Sequence, residues 1–249
     1  MIDKLVLITT LFVSTTVFAQ TRQPRTFLLV HGAWSGGWDY AQVETILRAN
    51  NDKVYRPTLT GLGERVHLAS PDINLTTFIS DIVNVIKFED LHDVILVGHS
   101  FGGMVISGVA EQLPERISHL IYLDAMVPDD GQSAQMVCGH LWHEFMASHV
   151  KDGFLDYPFG PVRSTPPMDV AQSLKTFTEP LPVRNSLVKN IPTAFIVMTK
   201  NGQSQAANDQ MGLVKARQRH WRIASLEGGH YAMREQPDKL VKKLEEVLK

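Results

Sequence analysis

The sequence is poor in the features that would mark a specialised class. It holds a single cysteine, Cys138, so no internal disulfide is available and a disulfide-stapled scaffold is excluded. Neither charge sign dominates: 24 Lys and Arg stand against 26 Asp and Glu, for a formal net charge of -2. That balance gives no electrostatic reason to expect a nucleic-acid partner. Internal repeats and low-complexity tracts are missing as well. What remains is an ordinary globular composition, 44% hydrophobic and 20% charged over 249 residues, with enough apolar side chains for a full core.

The one long apolar run lies at the beginning. Lys4 precedes Leu5 to Phe18, and Val17-Phe18-Ala19 closes the run with small residues where a signal peptidase reads. The expectation is a cleaved leader over residues 1–19 and a single mature domain over 20–249, secreted or periplasmic. A retained anchor or a buried first strand are the alternatives. Four threonines and a serine interrupt the run, which falls short of the ~20 clean apolar residues of a spanning helix.

Downstream, short apolar runs alternate with amphipathic ones. Strands are expected at Thr26 to Val30, Lys53 to Leu59, Asp93 to Val97, Ile117 to Leu123, Ile191 to Thr199 and Trp221 to Leu226. Helical spacing marks Trp38 to Asn50, Leu75 to Phe88, Phe101 to Leu113 and Pro237 to Lys249. Such alternation predicts an α/β fold: a mostly parallel sheet with helices on both faces. Residues 128–190 break the rhythm, rich in Pro, Met and aromatics with no strand pattern, and read as a lid inserted over the carboxyl edge of the sheet.

Gly98-His99-Ser100-Phe101-Gly102 ends one predicted strand and opens a helix. This G-x-S-x-G pattern exposes a serine hydroxyl on a sharp turn, and glycines are needed on both sides because the strand and helix nearly touch there. Ser100 is the candidate nucleophile. Gly228-Gly229-His230 follows the last predicted strand, where glycines let a loop carry the imidazole inward, so His230 is the candidate general base. His99, beside the serine, is read as structural. Asp124 ends the Ile121-Tyr122-Leu123 strand and keeps the chain order serine, acid, histidine, so it is the candidate acid, with Asp209 and the neutral Asn201 as alternatives. The oxyanion hole is expected from the backbone N–H groups of Ala33, in the His31-Gly32-Ala33-Trp34 turn, and of Phe101. For the substrate pocket the candidates are Trp34, Met126, Trp142, Phe145 and Tyr231. His140, His143, Glu144 and His149 cluster in the lid, but their spacing completes no tetrahedral set, so neither a metal nor any other cofactor is expected.

Together these stretches resemble the α/β-hydrolase superfamily, and within it the branch of plant methyl-ester esterases, hydroxynitrile lyases and bacterial salicylate-esterase-like hydrolases. VHGAWSGGWDY (Val30 to Tyr40), LTGLGERVHLA (Leu59 to Ala69), DIVNVIKFEDLHDVILVGHSFGGMVI (Asp81 to Ile106), LIYLDAMVPDDGQS (Leu120 to Ser133) and GGHYAM (Gly228 to Met233) carry the likeness. The resemblance implies an α/β-hydrolase fold and a cofactor-free serine esterase. Met126, Met136, Leu141, Trp142, Phe145, Met146, Phe154, Tyr157 and Phe159, in and beside the lid, supply a surplus of aromatic and thioether groups, which points to an apolar pocket for small to medium, apolar or aromatic esters. Lyases of the branch have a threonine and a lysine where this chain has Gly32 and Tyr231, which argues for the esterase. Plant relatives take their acid from the strand after the lid, where this chain reads Lys200-Asn201; Asp124 follows the bacterial arrangement. The other readings are hydrolysis of lactones, amides or C–C bonds on the same residues, or a ligand-binding sensor of low turnover. The expected partner is a small-molecule ester, with no nucleic acid and no stable membrane insertion.

Overall fold

A computed structural model describes residues 22–204 and 209–249, with the side chains of Asp209 and Gln210 excepted. The leader expected over residues 1–19 lies outside the described residues. Among those residues no helix is long and apolar enough to cross a membrane.

Six parallel strands form the body: β1 (Thr26–Val30), β2 (Lys53–Tyr55), β3 (Val94–His99), β4 (Ile117–Leu123), then after the lid β8 (Thr193–Lys200) and β10 (Arg222–Glu227). Their order is β10-β8-β4-β3-β1-β2, and β9 (Gln203–Ser204) adds a short antiparallel hairpin to β8. The helices α1 (Ala41–Ala49), α2 (Leu75–Phe88), α3 (Gly102–Gln112) and a closing Pro237–Val247 helix cover the two faces.

Strand period sorts the core into two layers. In β1, Phe27 and Leu29 join one apolar cluster and Leu28 and Val30 the other; β3 divides the same way, Ile95 and Val97 against Val94 and Leu96. Because both faces are covered, the strands read as continuous apolar runs rather than alternating ones. Helix α2 places Leu75, Phe78, Ile79, Ile82, Val83 and Ile86 on its buried stripe, and Asn74 caps it by accepting the Thr77 N–H at 2.9 Å.

The expected strands and helices lie within a few residues of their observed bounds, and the second strand stops at Tyr55 instead of reaching Leu59. The lid departs from expectation. It holds α4 (Ala134–Cys138), three two-residue strands, β5 (Val150–Lys151), β6 (Phe154–Leu155) and β7 (Gln172–Ser173), and α5 (Leu174–Thr178). These strands pair antiparallel in the order β5-β6-β7. Strands of two residues are too short to leave a period in the sequence, which is why the segment shows no strand pattern there.

Register brings the chemistry together. Gly98 and His99 of β3 lie beside Tyr122 and Leu123 of β4, and Leu123 lies beside Ile196 of β8. The carboxyl ends of β3 and β4 therefore deliver Ser100 and Asp124 to the same sheet edge, where β10 also ends three residues before His230.

Candidate active site

The turn at the end of β3 is built by close approach. A Cβ on Gly98 would meet the Gly102 carbonyl at 2.7 Å, and one on Gly102 would meet the His31 carbonyl at 2.8 Å, so the turn requires glycine at both places. Ser100 between them has φ +52°. Its N–H donates to the Leu123 carbonyl at 3.2 Å, and its own carbonyl accepts from Gly103 at 3.1 Å and Met126 at 2.9 Å, which holds the strained backbone.

Asp124 is buried at the end of β4, also at positive φ (+46°). Its N–H donates to Ile196 at 2.8 Å, and its Oδ1 accepts the Met198 N–H at 3.2 Å. The other oxygen, Oδ2, lies 2.7 Å from His230 Nδ1. Beneath the His230 loop is His99, wholly buried, whose Nε2–H donates to the His230 carbonyl at 2.9 Å. Burial, reinforced by the neighbouring His230, pushes the His99 pKa well down, so its ring is neutral, and its Nδ1 has no hydrogen-bond partner among the described residues.

The turn after β1 is pinned by a second buried histidine. His31 Nε2 accepts the Leu59 N–H at 3.1 Å, which leaves Nδ1 protonated to donate to the Gly32 carbonyl at 2.8 Å. Burial lowers the His31 pKa as well. Among the described residues, the backbone N–H groups of Ala33 and Phe101 donate to no protein acceptor, although both residues are buried.

Arg234 joins this turn to the His230 loop. Its guanidinium pairs with buried Asp39, donates to Ser35 Oγ at 3.0 Å, and lies 4.3 Å from the Trp38 ring centroid and 4.4 Å from that of Tyr231. Burial alone would lower the Arg234 pKa, but the Asp39 carboxylate outweighs it and holds it above its ordinary value. Trp38 and Tyr231 thus both offer a ring to the Arg234 cation.

A cavity of about 250 Å³ opens over Ser100 and His230. Of the pocket candidates, the structure places Trp34, Met126 and Tyr231 in the cavity lining and Trp142 and Phe145 outside it. Trp142 is buried behind the wall against Phe177, at 5.9 Å between ring centroids, and Phe145 is 48% exposed. The lid side chains Leu141, Met146, Tyr157 and Phe159 also line the cavity, together with Cys138, Phe177 and Met211, which no sequence signal singled out for the pocket. Cys138 therefore shares this cavity with Ser100, and burial pushes its thiol up to about 12, so it is an un-ionised, apolar wall group. The Tyr157 and Tyr231 hydroxyls, 3.4 Å apart, are among the few polar groups here, and burial keeps Tyr231 protonated.

The alternatives to Asp124 are Asn201 and Asp209. Asn201 is exposed at the β8–β9 turn, its N–H bonded to Glu227 at 2.6 Å, and the Asp209 side chain lies outside the described residues. In the lid, His140 pairs with Glu144 at 2.7 Å at the surface, and His143 is exposed rather than facing the cavity. A larger groove of about 700 Å³, lined by Glu111, Tyr122, Arg184 and Trp221, contains neither Ser100 nor His230.

A parallel sheet with a strained serine at one strand end, an aspartate at the next and a histidine in the last loop defines the α/β-hydrolase class. The chain belongs to the alpha/beta hydrolase family, whose model matches residues 27–243. Over 107 residues it is 51% identical to a carbendazim hydrolyzing esterase of Nocardioides sp. (strain SG-4G), covering 43% of this chain and 44% of that one. Over 130 residues it is 30% identical to methylesterase 1 of Arabidopsis thaliana, covering 48% and 46%. The chain spans just under half the length of these curated relatives. Among solved structures, an extracellular α/β-hydrolase from a Paenibacillus species, described as sharing structural and functional homology with tobacco salicylic acid binding protein 2, has a TM-score of 0.76. Its identity is 23%, over 90% of this chain and 99% of that one.

Proposed function

We propose that the protein is a serine-dependent carboxylic ester hydrolase working through an acyl-enzyme, with Ser100 as nucleophile, His230 as base and Asp124 as acid. One observation carries this reading: the 2.7 Å contact of His230 Nδ1 with Asp124 Oδ2, in a cavity that also exposes strained Ser100. Asp124 keeps the imidazole proton on Nδ1, which leaves Nε2 free to accept another. As Ser100 Oγ bonds to the ester carbonyl carbon, its proton passes to His230 Nε2 and the carbonyl π pair moves onto oxygen. The unpaired N–H groups of Ala33 and Phe101 stabilise that oxyanion. Collapse of the intermediate breaks the bond to the alcohol oxygen, which leaves with the proton from His230. A water then repeats the sequence on the acyl-serine, releasing the carboxylic acid and restoring Ser100.

The esterase and methylesterase relatives support ester hydrolysis as the activity. Aromatic, thioether and aliphatic walls around a small cavity support apolar or aromatic esters of modest size as substrates. The test is a panel of p-nitrophenyl and methyl esters on wild type and Ser100→Ala, with labelling by a fluorophosphonate. Turnover is expected to fall by at least ~10³-fold in the variant and labelling to vanish; residual turnover near the wild-type rate would sink the assignment. Export by a cleaved leader is proposed on the Leu5 to Phe18 run alone. Amino-terminal sequencing of protein expressed with its leader should begin at Gln20, and an intact Met1 would refute it.

A further inference from the structure

Trp34 follows Ala33 in the turn after β1, and every hydrogen-bonding group it has is held by the lid. Its N–H donates to Gln172 Oε1 at 2.9 Å, its carbonyl accepts the Val170 N–H at 2.8 Å, and its indole Nε1–H donates to the Leu155 carbonyl at 2.8 Å. Trp34 has φ +63°, a left-handed conformation that tryptophan rarely adopts. The strained Trp34 backbone is therefore not held by local preference; these lid contacts hold it.

Gln172 is itself wholly buried, and its carboxamide is oriented from behind. Its Nε2 donates to Thr176 Oγ1 at 2.7 Å, while the Thr176 hydroxyl donates to the Ser173 carbonyl at 2.7 Å. With its only proton committed, Thr176 Oγ1 can face nothing but a donor, so Oε1 of Gln172 must face Trp34. On the other flank of Ala33, His31 grips the Gly32 carbonyl, which belongs to the same peptide plane as the Ala33 N–H. The two peptides around Ala33 are thus fixed separately, one by His31 in the body and one by Gln172 in the lid.

We propose that Gln172 is a positioning residue for the oxyanion hole. By engaging the Trp34 N–H it fixes the backbone around Ala33, aims the Ala33 N–H at the oxyanion formed on Ser100, and makes transition-state stabilisation depend on a docked lid. The inference rests on the serine-hydrolase reading above. It goes beyond it in giving a lid side chain, remote from the nucleophile in sequence, control over a donor in the body.

The test measures kcat and KM for p-nitrophenyl butyrate together with thermal unfolding. Gln172→Met keeps the volume and removes the acceptor, so kcat should fall about 10- to 100-fold, less than deleting a donor outright. KM should stay within about threefold, because the ground-state carbonyl is held less tightly than the oxyanion. In Gln172→Glu the wholly buried carboxyl stays protonated, donates to Thr176 Oγ1 and keeps its carbonyl oxygen towards the Trp34 N–H, so most of the lost kcat should return. A Gln172→Met enzyme with wild-type kcat, a loss confined to KM, or a Gln172→Glu enzyme no better than Gln172→Met would overturn the proposal. If Gln172→Met does not fold, Thr176→Val frees the carboxamide to swivel: a smaller loss, again in kcat alone, is expected, and an unchanged kcat overturns the idea. Ser100→Ala is assayed alongside. Turnover surviving in Ser100→Ala would sink the reading of the site, whereas a dead Ser100→Ala beside a fully active Gln172→Met would sink only the role of Gln172.

Discussion

Ser100 and Asp124 both carry positive φ at the ends of adjacent strands, at a cost of about 1–3 kcal/mol each. In each case the neighbouring strand holds the strained residue, through Leu123 for Ser100 and Ile196 for Asp124. The two carboxylate oxygens of Asp124 have different duties. Oδ1 takes the Met198 N–H, which turns Oδ2 towards His230. This division makes Asp124→Asn an informative change. The new carbonyl oxygen is expected to keep the Met198 N–H, so the amide NH₂ faces Nδ1 and drives the imidazole proton to Nε2, where it can no longer accept from serine. kcat should fall by roughly 10²- to 10⁴-fold with KM and unfolding midpoint little changed. Asn201→Asp in the same background should restore nothing, because Asn201 is exposed and its N–H bonded to Glu227. Restoration would mean that the acid lies at the end of β8 after all.

At the scale of elements, legibility tracks periodicity. Leu75–Phe88 was readable to the residue because its apolar positions repeat at three and four, and β1, β3 and β4 because doubly covered strands are continuous apolar runs. The positions of Ser100, Asp124 and His230 were equally readable, since each follows a legible strand and the first and last are flanked by glycine. The lid shows where such reading stops. Trp142, Phe145 and Met146 have the spacing of one α-helical face, yet Trp142 and Met146 point inward and Phe145 outward. The segment Trp142–Met146 winds as a wider π-type turn, in which residues four apart stay in line and residues three apart do not. Gln172 was invisible for another reason. No period or motif marks a glutamine in a two-residue strand, and its significance comes from contacts with Trp34 and Thr176 that only the folded chain makes.

For the molecule as a whole, the buried histidines at the carboxyl edge of the sheet set a dependence of stability on pH. His31 and His99 are both fully buried, and burial is the leading cause holding each pKa below the ordinary 6.5, with His99 displaced further. On unfolding each regains a normal pKa, so below about pH 6.5 the unfolded chain binds protons that the folded chain does not. Stability is therefore full above that pH and declines as pH falls through it, by at most about 1.4 kcal/mol per pH unit for each histidine. The carboxylates behave separately. Burial works to raise the pKa values of Asp52, Glu44 and Asp129, but their Arg and Lys partners prevail and leave them lowered. Their contribution is lost only as pH drops below the ordinary carboxylate range, near 4. Thermal unfolding midpoints should accordingly fall between pH 7 and pH 5, before acid begins to break the ion pairs. In His99→Gln, which cannot take up a proton on unfolding, the midpoint should fall less steeply over that interval, whatever its absolute value. The comparison of slopes separates titration from packing: a lower midpoint with an unchanged slope would mean that His99 contributes by shape alone, and that the pH dependence has another source.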